Sequence, residues 1–150
     1  MAHDHLPPGP PVEVQIAFLL TRLGGKQSSA FADLLRPLDL RPKQFAVMNI
    51  VALADGPSQQ EIGKSMELDP SGLISTIDEL EERGWLERRQ SESDRRRNVI
   101  QLTEAGSVKL SEGRAAALER AHDLTEPLTS KERKTLLALL LKLTGPATSR

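Results

Sequence analysis

Apolar residues recur at intervals of three and four over most of the chain, a spacing that predicts amphipathic helices. Ser58 and Thr129 each open a capping box, and Gly84 ends a helical pattern, so the segments can be delimited. The predicted helices span, in chain order, about residues 12–38, 42–53, 58–66, 69–83, 103–124 and 129–144. The Gly24-Gly25 pair is expected to mark a kink, a break or a close backbone approach in the first helix.

The spacing of apolar residues changes between Gly84 and Thr103. The runs WLERRQ and RNVIQL partly alternate between apolar and polar residues, and the turn-prone segment SESDRR separates them, which predicts a β-hairpin. Helix, short turn, helix and hairpin in this order are typical of a winged helix-turn-helix, whose second helix enters the major groove of DNA. The predicted fold class is therefore mainly α with a small β-hairpin wing.

The order of these elements predicts how the chain is divided. Residues 1–11, rich in proline, form a disordered tail, and residues 146–150 form a second one. Residues 41–102 form the DNA-binding lobe, and the helices in 12–40 and 103–145 form an all-α dimerisation region. The first and last helices are apolar almost all round, whereas a surface helix of a monomer shows only a stripe, so a homodimer is expected.

The overall charge of the chain does not favour the binding of a polyanion such as DNA. Lys and Arg number 20 against 21 Asp and Glu, which leaves a net charge of −1, so any nucleic-acid site must be local. Six arginines lie between Arg83 and Arg97 against only three acidic residues. This basic wing is placed to contact DNA phosphate, although adjacent arginines can also simply solvate a hairpin turn.

The segment LDPSGLISTIDELEERGWLERRQSESDRRRNVIQLTEAG resembles the recognition helix, the wing and the following helix start of the MarR (multiple antibiotic resistance regulator) family of bacterial transcription factors. Its most specific parts are residues 94–96 and the LTEAG of residues 102–106, and the resemblance extends over about residues 12–143. It implies a dimer that binds double-stranded DNA at a pseudo-palindromic operator, usually as a repressor released by a small molecule. The alternative is a winged-helix protein-interaction module without sequence-specific DNA binding.

The resemblance places the family's minor-groove arginine at Arg96, oriented by the Asp94 carboxylate, with Arg95 and Arg97 near phosphates. A guanidinium suits a narrow, electronegative minor groove better than an ammonium does. In the recognition helix, Leu73 and its apolar partners face inward, which turns small or hydroxylic side chains outward. The predicted DNA-binding residues are Ser71, Gly72, Ser75, Thr76, Arg88, Asp94, Arg95, Arg96 and Arg97.

The recognition helix departs from the family pattern, because the family often has an arginine at the position of Ser75 and another basic residue at that of Glu79. Two interpretations of Glu79 stay open. Its carboxylate can accept a hydrogen bond from a cytosine amino group, or it can belong, with Glu82, to a solvated face paired with Arg83.

The resemblance also implies a cleft for a small anionic aromatic or lipophilic ligand between the dimerisation helices and the DNA-binding lobe. The predicted lining is Leu19, Leu23, Met48 and Ala52, with His122 or its neighbours from the fifth helix. Arg22 can pair with a ligand carboxylate or with an acidic neighbour on the helix surface.

Other chemistry is sparse. The absence of cysteine excludes disulfides, thiol redox sensing and cysteine zinc sites, and three scattered histidines do not suggest a metal site. Without a phosphate-binding glycine loop or a catalytic spacing, neither an enzyme nor a cofactor is expected. The longest strongly apolar run, residues 136–141, is far below the roughly 20 residues that span a bilayer, so a cytoplasmic protein is expected.

Trp85 is expected to plug the junction of wing and recognition helix rather than to stack on DNA.

Overall fold

The computed structural model describes residues 9–54, 56–66 and 70–145 of the chain. Its elements are α1 (Val12–Leu35), a 3-10 turn (Arg36–Leu38), α2 (Pro42–Leu53), α3 (Gln59–Met66), α4 (Pro70–Glu82), β1 (Leu86–Gln90), β2 (Asn98–Leu102), α5 (Glu104–Thr125) and α6 (Ser130–Leu143). The mainly α fold with a two-stranded wing is therefore confirmed. Residues 1–8 of the predicted N-terminal tail, the predicted tail at residues 146–150 and the first position of the helix predicted over residues 69–83 lie outside the described residues.

The chain divides into two compact units, Met1–Gly113 and Arg114–Arg150. In the first unit, every helix and both strands contribute to one hydrophobic core, and in α4 the inward residues follow the predicted spacing of four and three. The buried core side chains are Leu35, Leu40, Val47, Met48, Val51, Ile62, Leu73, Ile77, Leu80, Leu86, Ile100 and Leu110. This core holds α2, α3 and α4 against the root of the wing.

The wing is an antiparallel hairpin that begins with Leu86 opposite Leu102. The N–H of Ile100 donates a hydrogen bond of 2.9 Å to the carbonyl oxygen of Pro57, which joins β2 to the turn between α2 and α3. The wing therefore has a backbone attachment to the helix-turn-helix in addition to its packing.

The corner between α4, β1 and α5 is built around Trp85. Gly84 ends the recognition helix with a φ of 69°, and the hydroxyl of Thr103 donates to its carbonyl oxygen at 2.6 Å. A Cβ at Gly106 would lie 1.9 Å from the Trp85 carbonyl oxygen, so only glycine fits at this position. The Trp85 ring is half-buried against the core, with the Arg83 guanidinium 5.0 Å from its centre, in agreement with the predicted plug.

α1 is one continuous helix, so the predicted break at Gly24-Gly25 is wrong. A close backbone approach is also absent among the described residues, since a Cβ at either glycine would meet nothing within 4 Å. Each glycine costs a helix interior about 1 kcal/mol relative to alanine, which a helix of 24 residues tolerates. The helix ends earlier than predicted, at Leu35, where the backbone tightens into the 3-10 turn.

Helices α1 and α6 each expose large apolar side chains. The large exposed residues of α1 are Val12, Val14, Ile16, Phe18, Leu19, Leu20 and Leu23. Those of α6 are Leu136, Leu137, Leu139, Leu141 and Leu143. In a single copy of the chain, the apolar side chains on each of these two helices are exposed to water.

Candidate nucleic-acid interface

The wing tip carries two exposed arginines, Arg95 and Arg96. The turn beneath them is closed by backbone hydrogen bonds, from Ser91 N–H to the Arg97 carbonyl oxygen at 2.8 Å and from Arg97 N–H to the Asp94 carbonyl oxygen at 2.9 Å. In the part of the chain that the structure describes, no carboxylate pairs with the guanidinium of Arg95 or Arg96. We call these two residues the cationic tip.

Asp94 acts on the backbone rather than on a guanidinium. Its Oδ1 accepts a hydrogen bond of 3.0 Å from the backbone N–H of Arg96, which is the pattern of an Asx turn. The prediction that Asp94 orients the Arg96 side chain is corrected accordingly. The carboxylate shapes the turn from which that side chain emerges.

Arg97 is bound within the protein. Its guanidinium pairs with Glu61, and the same carboxylate accepts hydrogen bonds from the N–H and the hydroxyl of Ser58 at 2.7 and 2.8 Å. The Ser58 backbone and side-chain hydrogen bonds, followed by the one from Arg97, lower the pKa of Glu61 to about 2. Arg97 was predicted near phosphate, but in the structure it ties the turn of the wing to the start of α3.

Arg88 is also engaged, although it was predicted to bind DNA. Its Nη2 lies 2.6 Å from Oδ1 of Asp78, and its Nη1 pairs with Glu81. The hydrogen bond to Asp78 raises the pKa of Arg88, and the nearby charges of Glu81 and Asp78 add to the shift. Arg88 therefore connects β1 to α4.

The outer face of α4 differs from the predicted one. Ser71 and Ser75 are exposed as expected, but Thr76 is only 6% exposed and its hydroxyl donates to the Gly72 carbonyl oxygen at 2.8 Å. The expectation that the Thr76 side chain faces the groove is therefore wrong. Ile74, which sequence reasoning missed, is 42% exposed on this helix.

The carboxylate of Glu79 is held by the start of α2. It pairs with Arg41, and it accepts a hydrogen bond of 3.0 Å from Nε2 of the buried Gln44. Arg83 instead binds Asp39, with 2.8 Å between Nη1 and Oδ2. The predicted pairing of Glu79 with Arg83 is wrong, and the carboxylate is occupied by protein partners rather than presented alone to a cytosine.

The predicted ligand-binding residues do not share one environment. Leu19 and Leu23 are exposed on α1, and Ala52 is exposed on α2. Met48 is fully buried in the core, which corrects the prediction that its side chain lines an open cleft. Met48 is enclosed because side chains from every neighbouring element pack into the core around it.

The described residues contain no cluster of three or more His, Asp or Glu side chains able to hold a metal ion. Nor do they contain a helix whose length and apolar content would let it cross a membrane.

Comparison with known proteins places these features in context. The sequence pattern that defines the MarR family matches residues 40–97. The chain is 29% identical over 121 residues to a putative transcriptional regulatory protein for the hcr operon of Thauera aromatica, which covers 78% of this chain and 73% of that protein.

Solved structures give a similar result. The structure of CouR from Rhodococcus jostii RHA1 bound to p-coumaroyl-CoA superposes with a TM-score of 0.82 and 28% identity, and covers 95% of this chain and 100% of CouR. The transcriptional repressor CouR bound to a 23-mer DNA duplex gives a TM-score of 0.77 at 28% identity, and covers 91% and 99% of the two chains.

Proposed function

The chain belongs to the MarR family of transcriptional regulators, and on that premise we propose that it is a homodimeric repressor that binds a pseudo-palindromic operator and leaves it when a small molecule binds. The family and the fold are those of transcriptional regulators rather than of enzymes. The similarity to CouR, a repressor seen on a DNA duplex, supports the proposed DNA partner.

The cationic tip is the observation that carries the proposal. Arg95 and Arg96 have no carboxylate partner among the described side chains, whereas Arg88 and Arg97 are held by the protein. A guanidinium without an internal partner can enter a narrow minor groove at little cost, because it has no ion pair to break. We assign the minor-groove contact to Arg96 and a phosphate contact to Arg95.

The recognition helix then provides the major-groove contacts. Its exposed residues Ser71, Ile74 and Ser75 form the reading face, while Gly72 and Thr76 support it from within the helix. Hydroxyls discriminate bases less strongly than a bidentate arginine does, so each contact is weak. Specific binding therefore depends on the wing and on the use of two half-sites.

Dimerisation supplies a second recognition helix and wing, which can bind the second half-site of the operator. We assign the helices within residues 12–40 and 103–145 to the dimer interface, and residues 41–102 to the DNA-binding lobe. The exposed apolar surfaces of α1 and α6 support this division, because water-exposed apolar surface of that extent favours association. A two-fold axis would present two copies of α4 to half-sites one helical turn apart.

The proposed effector is an anionic aromatic or lipophilic molecule, and an aromatic acyl-CoA is the first candidate because CouR binds p-coumaroyl-CoA. Leu19, Leu23 and Ala52 are exposed and remain candidates for contact with the apolar part of such a ligand. Release of a bound duplex by p-coumaroyl-CoA, with free coenzyme A as the control, tests the class directly.

The DNA assignment is tested with Arg96→Ala, using a duplex selected by the purified protein from a random library. We expect the variant to bind at least tenfold more weakly in a gel shift, and its slope of log affinity against log salt to be shallower by about two units, one for each copy in the dimer. Arg89→Ala is the matched control, because Arg89 also lies in the wing but pairs with Glu87.

The protein-interaction alternative makes the opposite prediction. It applies if no duplex is selected, or if binding does not depend on salt concentration, since counterion release follows phosphate contacts. If Arg96→Ala binds the selected duplex like the unmodified protein, the assignment of the wing is wrong.

A further inference from the structure

We propose that the carboxylates of α4 are positioning groups for DNA binding: Asp78 and Glu81 fix the wing through Arg88, and Glu79 fixes the start of α2 through Arg41 and Gln44. The acidic recognition helix would otherwise be a surface that repels the DNA backbone. The inference rests on the proposed function, and it adds residues that do not themselves contact DNA.

The wing side of this arrangement has three contacts between α4 and one residue of β1. The Arg88 guanidinium binds Asp78 and Glu81 together, and the backbone N–H of Arg88 donates to Oε1 of Glu81 at 3.3 Å. Asp78 and Glu81 lie one turn apart on the helix, so the fork of the guanidinium fixes the direction as well as the distance. Since β1 leads to the cationic tip, these contacts set where the tip lies relative to α4.

The α2 side holds α4 at two further points. The Gln44 side chain is 1% exposed, and it connects both elements: its Oε1 accepts from the N–H of Arg41 at 3.0 Å and its Nε2 donates to Glu79 at 3.0 Å. Near the start of α4, Nζ of Lys43 donates to the Gly72 carbonyl oxygen at 2.9 Å. The recognition helix α4 is thus held against α2 from its first turn to beyond its middle.

Glu82 provides the contrast within the same helix. It is exposed, and in the described part of the chain no cation pairs with it. Three of the four acidic residues between Asp78 and Glu82 therefore have arginine partners and one does not. Exposed ion pairs contribute little to overall stability, so a role in geometry accounts for their arrangement better than a role in folding.

The sign of the effect on DNA affinity tests the proposal. Removal of a carboxylate near a polyanion strengthens binding by electrostatics alone, whereas loss of a positioning contact weakens it. We expect Asp78→Asn/Glu81→Gln to bind the selected duplex about tenfold more weakly, within the range of couplings between contacting residues. We expect Glu82→Gln to bind as tightly as the unmodified protein or more tightly.

A double-mutant comparison separates positioning from loss of stability. If Asp78 and Glu81 act through the tip, their substitution should change affinity less than twofold when Arg96→Ala is already present. A general loss of stability would weaken binding equally in both backgrounds. Thermal melting of each variant identifies any that fail to fold, and Arg88→Ala should reproduce the tenfold loss.

Two outcomes overturn the proposal. The first is tighter binding by Asp78→Asn/Glu81→Gln, in parallel with Glu82→Gln, which would make the acidic residues a repulsive face. The second is an undiminished loss in the Arg96→Ala background. If the unmodified protein binds no duplex, the proposed function fails instead. Amide hydrogen exchange of β1 then tests whether Asp78 and Glu81 hold β1 to α4. Faster exchange in Asp78→Asn/Glu81→Gln but not in Glu82→Gln supports this attachment, and unchanged exchange in both variants refutes it.

Discussion

Four of the six wing-region arginines are held by carboxylates of the same chain. The pairs are Arg83 with Asp39, Arg88 with Asp78 and Glu81, Arg89 with Glu87, and Arg97 with Glu61. The formal charge of this segment therefore overstates the number of cations that can meet phosphate without first breaking an ion pair. The individual side chain, and not the charge of the segment, determines which arginines are available to DNA.

Ile74 gives a prediction about base recognition. An exposed isoleucine in a reading face otherwise made of serines suits the 5-methyl group of thymine, which only apolar contact can recognise. Replacement of a contacted thymine by uracil in the selected duplex should weaken binding by several-fold in the unmodified protein. Ile74→Ala should lose this discrimination, as measured by fluorescence anisotropy with paired duplexes.

The control is Ser71→Ala, which should retain the preference for thymine. If no thymine in either half-site can be replaced by uracil with loss of affinity, Ile74 does not read a methyl group. Uracil substitution leaves base pairing intact, so the comparison isolates the methyl group.

At the scale of elements, local sequence signals account for most of the fold. Capping boxes, glycine stops and apolar spacing act within a few residues, and the helices and the hairpin begin and end close to their predicted positions. Several ion pairs of the candidate interface join residues far apart in sequence, such as Arg97 and Glu61, 36 positions apart. Composition suggested free arginines there, because no local pattern specifies which carboxylate will meet which arginine.

The capping box of α3 makes a prediction about pH. The Glu61 carboxylate has a pKa of about 2, below its ordinary value of 4.5, so its charged form stabilises the folded state. That contribution is complete above the ordinary pKa and is lost as the pH falls from about 4.5 to about 2. The difference in melting temperature between the unmodified protein and Glu61→Gln should therefore shrink over this interval.

Glu82→Gln serves as the control for that experiment, because it removes an exposed carboxylate that has no cation partner among the described residues. A difference for Glu61→Gln that stays constant between pH 5 and pH 2 would contradict the assigned role of the capping box.

The glycine pair of α1 makes a second prediction at this scale. Among the described residues, a Cβ at Gly24 or Gly25 would meet nothing within 4 Å apart from the adjacent backbone of its own helix, and each replacement by alanine favours the helix by about 1 kcal/mol. The double variant should melt roughly 4–8 °C higher in differential scanning calorimetry. A lower melting temperature together with weaker dimerisation would instead mean that a second copy packs closely against the pair.

At the scale of the molecule, the net charge of −1 gives no general attraction for DNA. Two cationic tips in a dimer would supply four arginines that pair with no carboxylate among the described residues, and both half-sites would be engaged at once. Non-specific affinity should therefore be modest, and specific affinity should depend on the dimer.

This dependence is tested with Leu139→Glu in α6, where the side chain is 52% exposed. If α6 lies in the dimer interface, a carboxylate there is buried without a partner, and the protein should sediment as a monomer. A monomer keeps one tip and one reading face, so the slope of log affinity against log salt should fall to about half that of the dimer. Leu53→Glu is the matched control, because Leu53 is 83% exposed at the end of α2, outside the proposed interface, and should leave the dimer intact. A Leu139→Glu protein that stays dimeric and binds with an unchanged slope would remove α6 from the interface and leave the exposed face of α1 as the surface that joins the two copies.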